Sequence, residues 1–125
     1  MAIIPHTADV VVKDMGAALA FYRLLGLTIP AGDDHAPQVE VAVESGWTLG
    51  FVLENLVREA VPGWPTPVGQ RVTLAFECDD AAAVDSTYAT MEAAGFGLRA
   101  PWDSPWGQRY AFLCGPDGNR VDLFA

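Results

Sequence analysis

Two stretches of this chain repeat the same local grammar, and that repeat constrains the fold more than any single residue does. A β-rich run, "TADVVV" (7–12), leads to Asp14, which is placed to cap "MGAALAFYRLLG" with Gly26 as the stop. A second β-rich run, "VTLAFE" (72–77), leads to Asp79 or Asp80 as the cap of "AAAVDSTYATMEAAG", stopping at Gly95. Each stop is followed by an apolar residue (Leu27, Phe96), and the stops lie 69 residues apart. Each half closes with a turn and a last strand, "ESGWTLGFVL" in the first and "GPDGNRVDLF" in the second, so that Gly50 and Asp122 lie 72 apart.

The remaining strand signals are "VEVAV" (39–43), "TLGFVLE" (48–54), "RYAFLC" (109–114) and "RVDLF" (120–124), rich in β-branched and aromatic residues. On the first helix Ala18, Phe21, Tyr22 and Leu25 share a face, and on the second Val84, Thr87, Tyr88 and Met91 do. The expectation is an α+β chain of two β-α-β-β-β modules with mostly antiparallel sheets. The modules span about 1–60 and 70–125 of one domain, and the Pro-rich "VPGWPTPVGQ" supplies a linker at about 61–69.

Composition limits the function classes. Half of the residues (51%) are apolar, enough for a core at 125 residues, and no apolar run approaches the roughly 20 needed to span a bilayer. Sixteen acids against seven bases give a charge of −9, which repels a phosphate backbone and points to a neutral or cationic ligand. The start "MAIIPHTADVVVKD" lacks the features of a signal peptide, and Cys78 and Cys114 then read as reduced packing thiols. A cytoplasmic protein without nucleic-acid or membrane partners is expected.

One segment stands apart. "PWDSPWGQRY" (101–110) carries Trp102 and Trp106 among Pro101, Pro105 and Gly107, and reads as a loop. Large rings on a loop either fold back over the core or wait for a flat ligand.

Taken together, "VKDMGAALAFYRLLGL" (12–27) and "PWGQRYAFLCGPDGNRVDLFA" (105–125) resemble the vicinal-oxygen-chelate superfamily of glyoxalases, extradiol dioxygenases and antibiotic-binding resistance proteins. The likeness covers essentially the whole chain, with Gly115 departing from the usual Asp-Pro-Asp-Gly-Asn turn. It implies paired modules whose curved sheets line a concave groove, usually completed in a homodimer. In the family's metal enzymes four equivalent spots hold His, Gln or Glu. Here those spots fall on Thr7, Gly50, Thr73 and Asp122, and only Asp122 is a credible ligand. His6 lies one residue from a spot, which turns its side chain to the other face, and His35 sits in the polar "AGDDHAP". No metal and no cofactor are expected.

Given that fold, alternation assigns Ala8, Val10, Val12, Leu49, Phe51, Leu53, Val72, Leu74, Phe76, Val121 and Leu123 to the core. Thr7, Asp9, Val11, Gly50, Val52, Glu54, Thr73, Ala75, Glu77, Arg120, Asp122 and Phe124 are left for the groove. The patterns "TIPAGDDHAPQVE", "WGQRYA" and "PDGNRVDLFA" resemble the mitomycin-resistance type of antibiotic-binding protein. That likeness makes Trp106 the stacking residue, with Gln38 and Tyr110 beside it. Trp102 and Trp64 are further candidates, whereas Trp47 fits packing. One indole stack is worth about 0.5–1.5 kcal/mol beyond area burial, and micromolar binding needs about 8, so more than one aromatic wall is required.

The resulting expectation is a metal-independent resistance protein without catalytic residues that sequesters a planar natural-product antibiotic. Two readings stay open beside it. One is a metal-dependent lyase, isomerase or dioxygenase using Asp122 with His6 or a partner's residue. The other is a metal-free biosynthetic enzyme with Glu54 or Asp9 as base.

Overall fold

Alternating apolar residues build each sheet, and capped amphipathic helices cover one face of it. The structure, a computed structural model, describes residues 3–125. It divides into two compact units, one ending at Thr66 and the other spanning Pro67–Ala125. In the first unit, β1 (Thr7–Val12), α1 (Met15–Leu25), β2 (Gln38–Ala42), β3 (Thr48–Leu53) and α2 (Glu54–Ala60) follow in order. The sheet order is β1-β3-β2, with β1 parallel and β2 antiparallel to β3. Its core joins Val12, Ala18, Leu19, Phe21 and Tyr22 to Val39, Val41, Leu49 and Phe51. The Tyr22 and Phe51 rings meet at 4.8 Å.

The second unit runs β4 (Leu74–Glu77), α3 (Ala81–Ala93), β5 (Gly97–Asp103), β6 (Arg109–Cys114) and β7 (Arg120–Phe124). Its order is β4-β7-β6-β5, again with one parallel pair, β4 with β7. Val84, Tyr88 and Met91 of α3 are buried with Ala111, Leu113, Val121 and Leu123. Both sheets are mixed and neither closes into a barrel.

The repeat is reproduced down to the caps. Asp14 Oδ1 accepts the Ala17 N–H at 3.0 Å, and Asp80, rather than Asp79, accepts that of Ala83 at 2.8 Å. Beyond each helix the residue after the glycine reaches back five positions, Leu27 N–H to Tyr22 C=O and Phe96 N–H to Met91 C=O, both 3.0 Å. Gly26 and Gly95 take φ of 123° and 91°, which L side chains rarely adopt.

Four expectations are corrected. "PWDSPWGQRY" is not all loop, because β5 runs through Pro101 and Trp102 to Asp103 and only 104–108 turn. Pro is tolerated there because β5 is an edge strand, with a register irregularity between Arg99 and Trp102 that spans Pro101. The run 48–54 stops as a strand at Leu53. Glu54 opens α2, in which it pairs with Arg58 at 2.9 Å in the favourable i,i+4 order, so it is not a strand residue of an open face. The strand expected at 72–77 begins at Leu74, leaving Thr73 outside it and Val72 76% exposed rather than core. The Gln70 amide explains this: it accepts the Arg120 N–H at 2.7 Å and donates to the Arg120 C=O at 2.8 Å, occupying backbone groups of β7. Finally, the described residues of the first unit form three strands, not four. Residues 27–37 carry only a 3₁₀ turn at Asp33–His35 where the second unit has β5.

Candidate functional site

The second unit's sheet has a covered face and an aromatic one. Since α3 takes Ala111, Leu113, Val121 and Leu123, alternation sends Tyr110, Phe112, Asp122 and Phe124 to the other side. Cross-strand register aligns Trp102 with Tyr110 and Tyr110 with Phe124, and sets Phe112 beside Asp122 and Asp122 beside Ala75. The rings form a continuous cluster. Trp102 meets Phe112 at 5.3 Å, Tyr110 at 5.8 Å and Trp106 at 6.0 Å, all edge to face. Trp106 meets Tyr110 at 5.3 Å and 80°, and Tyr110 stacks on Phe124 at 6.1 Å and 19°. Edge-to-face geometry is the favourable one for such pairs, because a positive ring edge points at a negative face.

Trp106 is held at the tip of a tied turn. Ser104, buried, donates its N–H and its hydroxyl to the Gln108 C=O at 2.8 and 2.7 Å. Gly107 (φ 88°) completes the turn. Trp106 nonetheless stays 56% exposed. A large apolar ring fixed in place and left in water is the geometry expected of a stacking surface.

Below the rings lies a buried charge. Asp122 is 5% exposed, and its Oδ2 accepts the Tyr110 hydroxyl at 2.9 Å. Its Oδ1 lies 3.0 Å from Arg120 Nε at an angle that makes no hydrogen bond, so this contact is an ion pair alone. The Arg120 guanidinium also sits 4.5 Å from the Phe112 ring centre. Burial, with the hydrogen bond to the Asp122 carboxylate behind it, pushes the Tyr110 phenol above its ordinary pKa of 10.0. The phenol is therefore a neutral donor at physiological pH.

The first unit's uncovered face is small and polar. Asp9, Gly50 and Glu40 lie in one cross-strand row, and Gln38 pairs with Val52 in the next. The Asp9 carboxylate lies across Gly50 so closely that a Cβ there would collide with it, and Thr7 borders the same spot. Both Thr7 and Asp9 are exposed. Trp64, beyond α2, is half-buried with its indole N–H lacking a hydrogen-bond partner.

Of the residues singled out from sequence, Trp102, Trp106, Tyr110, Asp122 and Phe124 therefore come together on one face. Thr7, Asp9, Gln38, Gly50 and Val52 share the uncovered face of the other unit. Thr73, Glu54 and Trp64 lie on neither sheet. Sequence reasoning missed Phe112 and Arg99. Alternation in "RYAFLC" places Phe112 with Tyr110 and was the available signal for it. Arg99, 3.5 Å from the Trp102 ring centre, had none.

The donor set does not fit a catalytic divalent ion. Three of the four family spots carry Thr, Gly and Thr, and Asp122 is engaged by Tyr110 and Arg120. Among the described residues no three His, Cys, Asp or Glu side chains are grouped to hold one. His6 and His35 are exposed. Cys78 and Cys114 are free thiols, and burial with the neighbouring Asp79 charge holds the Cys78 thiol above its ordinary pKa, in its unreactive form.

Comparison with known proteins agrees with the topology. The family profile described as "Glyoxalase/Bleomycin resistance protein/Dioxygenase superfamily" matches residues 3–123. A solved glyoxalase/bleomycin resistance protein/dioxygenase from Nocardioides is similar at 26% identity and TM-score 0.76, over 100% of this chain and 84% of that one. A family enzyme from Burkholderia phytofirmans PsJN has TM-score 0.81 at 20% identity, with 94% of each chain covered. Lactoylglutathione lyase from Agrobacterium tumefaciens has TM-score 0.70 at 23% identity, over 98% and 92% of the two chains. At these last two identities the likeness is one of fold. No curated protein matches the sequence. Among the described residues no helix is long and apolar enough to cross a membrane.

Proposed function

The chain belongs to the glyoxalase/bleomycin resistance protein/dioxygenase superfamily, and from that premise we propose that it binds and sequesters a planar natural-product antibiotic, a quinone or similar aromatic, without a metal. The observation that carries this reading is the exposed Trp106 ring, fixed on a tied turn and buttressed edge to face by Trp102 and Tyr110. Sequestration is stoichiometric. It needs affinity and no nucleophile or general base, and the neutral Tyr110 and salt-bridged Asp122 suit recognition better than proton transfer. The reading gives a further ligand contact to Phe124, on the same face as Tyr110. The functional form is a cytoplasmic homodimer that takes one ligand per chain.

Titration of intrinsic tryptophan fluorescence with planar antibiotics, mitomycin-type quinones among them, in EDTA tests it. Saturable quenching at one ligand per chain is expected, with the ligand recovered unchanged. Trp106→Ala should weaken binding about tenfold or more while the unfolding midpoint stays within a degree or two, because the lost ring is solvent-exposed. Binding only after a divalent ion is added would transfer the assignment to a metal enzyme, and conversion of the ligand would transfer it to a biosynthetic one.

A further inference from the structure

Arg99 breaks the pattern of charge on this molecule. With sixteen acids in the chain, most arginines find a carboxylate: Arg23, Arg58, Arg109 and Arg120 each do so within 3.0 Å, whereas among the described residues Arg71 and Arg99 do not. Arg99 is exposed on β5, yet among the described residues it has neither an ion pair nor a hydrogen bond. Its guanidinium carbon instead lies 3.5 Å from the centre of the Trp102 ring. The stacked position costs no hydrogen bonds, because a guanidinium donates in its own plane and can still lie against an aromatic face. The indole thus fixes the direction of the fork while leaving all five N–H groups available.

The bulge in β5 creates this arrangement. In a regular strand, residues three apart point to opposite faces. Here Arg99 pairs with Phe112 and Trp102 with Tyr110, a step of three residues on β5 against two on β6, so both side chains reach the aromatic face. Trp102 is consequently covered by Arg99, as Phe112 is by Arg120, whereas no arginine lies over Trp106 among the described residues. Trp106 lies 6.0 Å from the same Trp102, so the fork and the open ring are within about 10 Å of each other, a span that a fused aromatic system bridges.

We infer that Arg99 is an anion-recognition element, and that the ligand class is a planar aromatic acid whose carboxylate or ionised phenol meets the Arg99 fork while its rings stack on Trp106. This rests on the proposed ligand-binding role of the face and narrows it. It also reverses the expectation of a neutral or cationic ligand drawn from the net charge of −9. That charge is spread over the chain and screened beyond about 8 Å at physiological salt, whereas a fork in contact with its anion is not. A charge-assisted pair with a planar carboxylate is the stronger and more directional term.

Calorimetric titration with naphthalene-2-carboxylate and its neutral, equally shaped carboxamide tests this on the wild-type protein, Arg99→Gln, Arg99→Lys and Trp106→Ala. The expected result is a preference for the carboxylate of at least about fivefold, weakened by salt, lost in Arg99→Gln and partly kept in Arg99→Lys. Trp106→Ala should weaken both compounds by the same factor. Thermal unfolding of each variant confirms that it is folded, since Arg99 is a surface residue. Equal binding of the two compounds, still sensitive to Trp106→Ala, would overturn the anion assignment and leave the stacking role intact. A preference that survives in Arg99→Gln overturns it too, by placing the anion elsewhere. Binding of neither compound overturns both assignments.

Discussion

The two units share one template and have spent it differently. Aligned on their helix stops, Arg23 of the first corresponds to Glu92 of the second. The Arg23 fork reaches into 27–37, donating to the Ile29 and Pro30 carbonyls at 3.0 and 2.6 Å and to Asp34 Oδ1 at 2.8 Å. A loop whose carbonyls are satisfied by a side chain does not need a strand partner. Glu92, a carboxylate, cannot donate to carbonyls and instead hydrogen-bonds Tyr88, and in this unit the chain after the helix pairs with β6 as β5. The consequence is chemical as well as topological. The extra edge strand brings Arg99 and Trp102, and the first unit has no counterpart to either.

A second reversal sits at the middle of each parallel pair. In the first unit the acid is on the opening strand and the small residue on the closing one, Asp9 beside Gly50. In the second the order is exchanged, Ala75 beside Asp122. Asp9 is exposed, whereas Asp122 is buried between Tyr110 and Arg120. An internal repeat therefore sets the scaffold, and single substitutions on the uncovered faces set what each half can bind.

The largest expected effect concerns the helix position. Arg23→Ala should cost about 2–3 kcal/mol in urea unfolding, since it removes a charge-assisted pair and two carbonyl partners, and it should speed amide exchange in 27–37. Its counterpart Glu92→Ala, at a surface site, should stay within about 0.5 kcal/mol. Equal costs would break the comparison. The buried acid comes next. Asp122→Ala strands the Tyr110 hydroxyl and Arg120 and should cost about 2 kcal/mol, less than for a fully buried pair because Arg120 is 41% exposed, while Asp9→Ala should be near neutral. Smaller still, Gly50→Ala should cost about 1 kcal/mol by pressing a methyl on the Asp9 carboxylate, and most of that should vanish in an Asp9→Ala background.

Which of these features could be read from the sequence follows from how local their causes are. Both helices, their Asp caps and their glycine stops were legible because capping chemistry acts within a few residues. The aromatic face was legible for Tyr110, Asp122 and Phe124 because regular strands alternate. The rest depended on contacts between distant residues. Pro101 hid β5, since edge position and a bulge cannot be seen in one strand alone. Gln70 kept Thr73 out of β4 by bonding Arg120, a partner 50 residues away in sequence. The uninterrupted apolar run into "TLGFVLE" masked the start of α2 at Glu54. Arg99 was invisible for the same reason as β5, because three-residue spacing predicts opposite faces until the register shift is known.

The smallest expected effect tests the Asp122 pocket through its proton. Burial and the Asp122 hydrogen bond raise the Tyr110 pKa in the folded chain above the ordinary value of 10.0. The native state then holds this proton at pH values where the unfolded chain has released it, so the contribution is complete below about pH 10 and declines as pH rises toward the folded value. Urea unfolding from pH 8 to 11 should show the stability advantage of wild type over Tyr110→Phe shrinking above pH 10. Tyr88, raised by burial and by Glu92, should give the same slope in a Tyr88→Phe comparison. The two differ in partner. Removing Asp122 should flatten the Tyr110 slope and leave that of Tyr88 unchanged, because only the phenol on the aromatic face donates to that carboxylate. A slope at Tyr110 indifferent to Asp122 would mean that burial alone holds the proton, and that the buried acid belongs to Arg120 rather than to the rings above it.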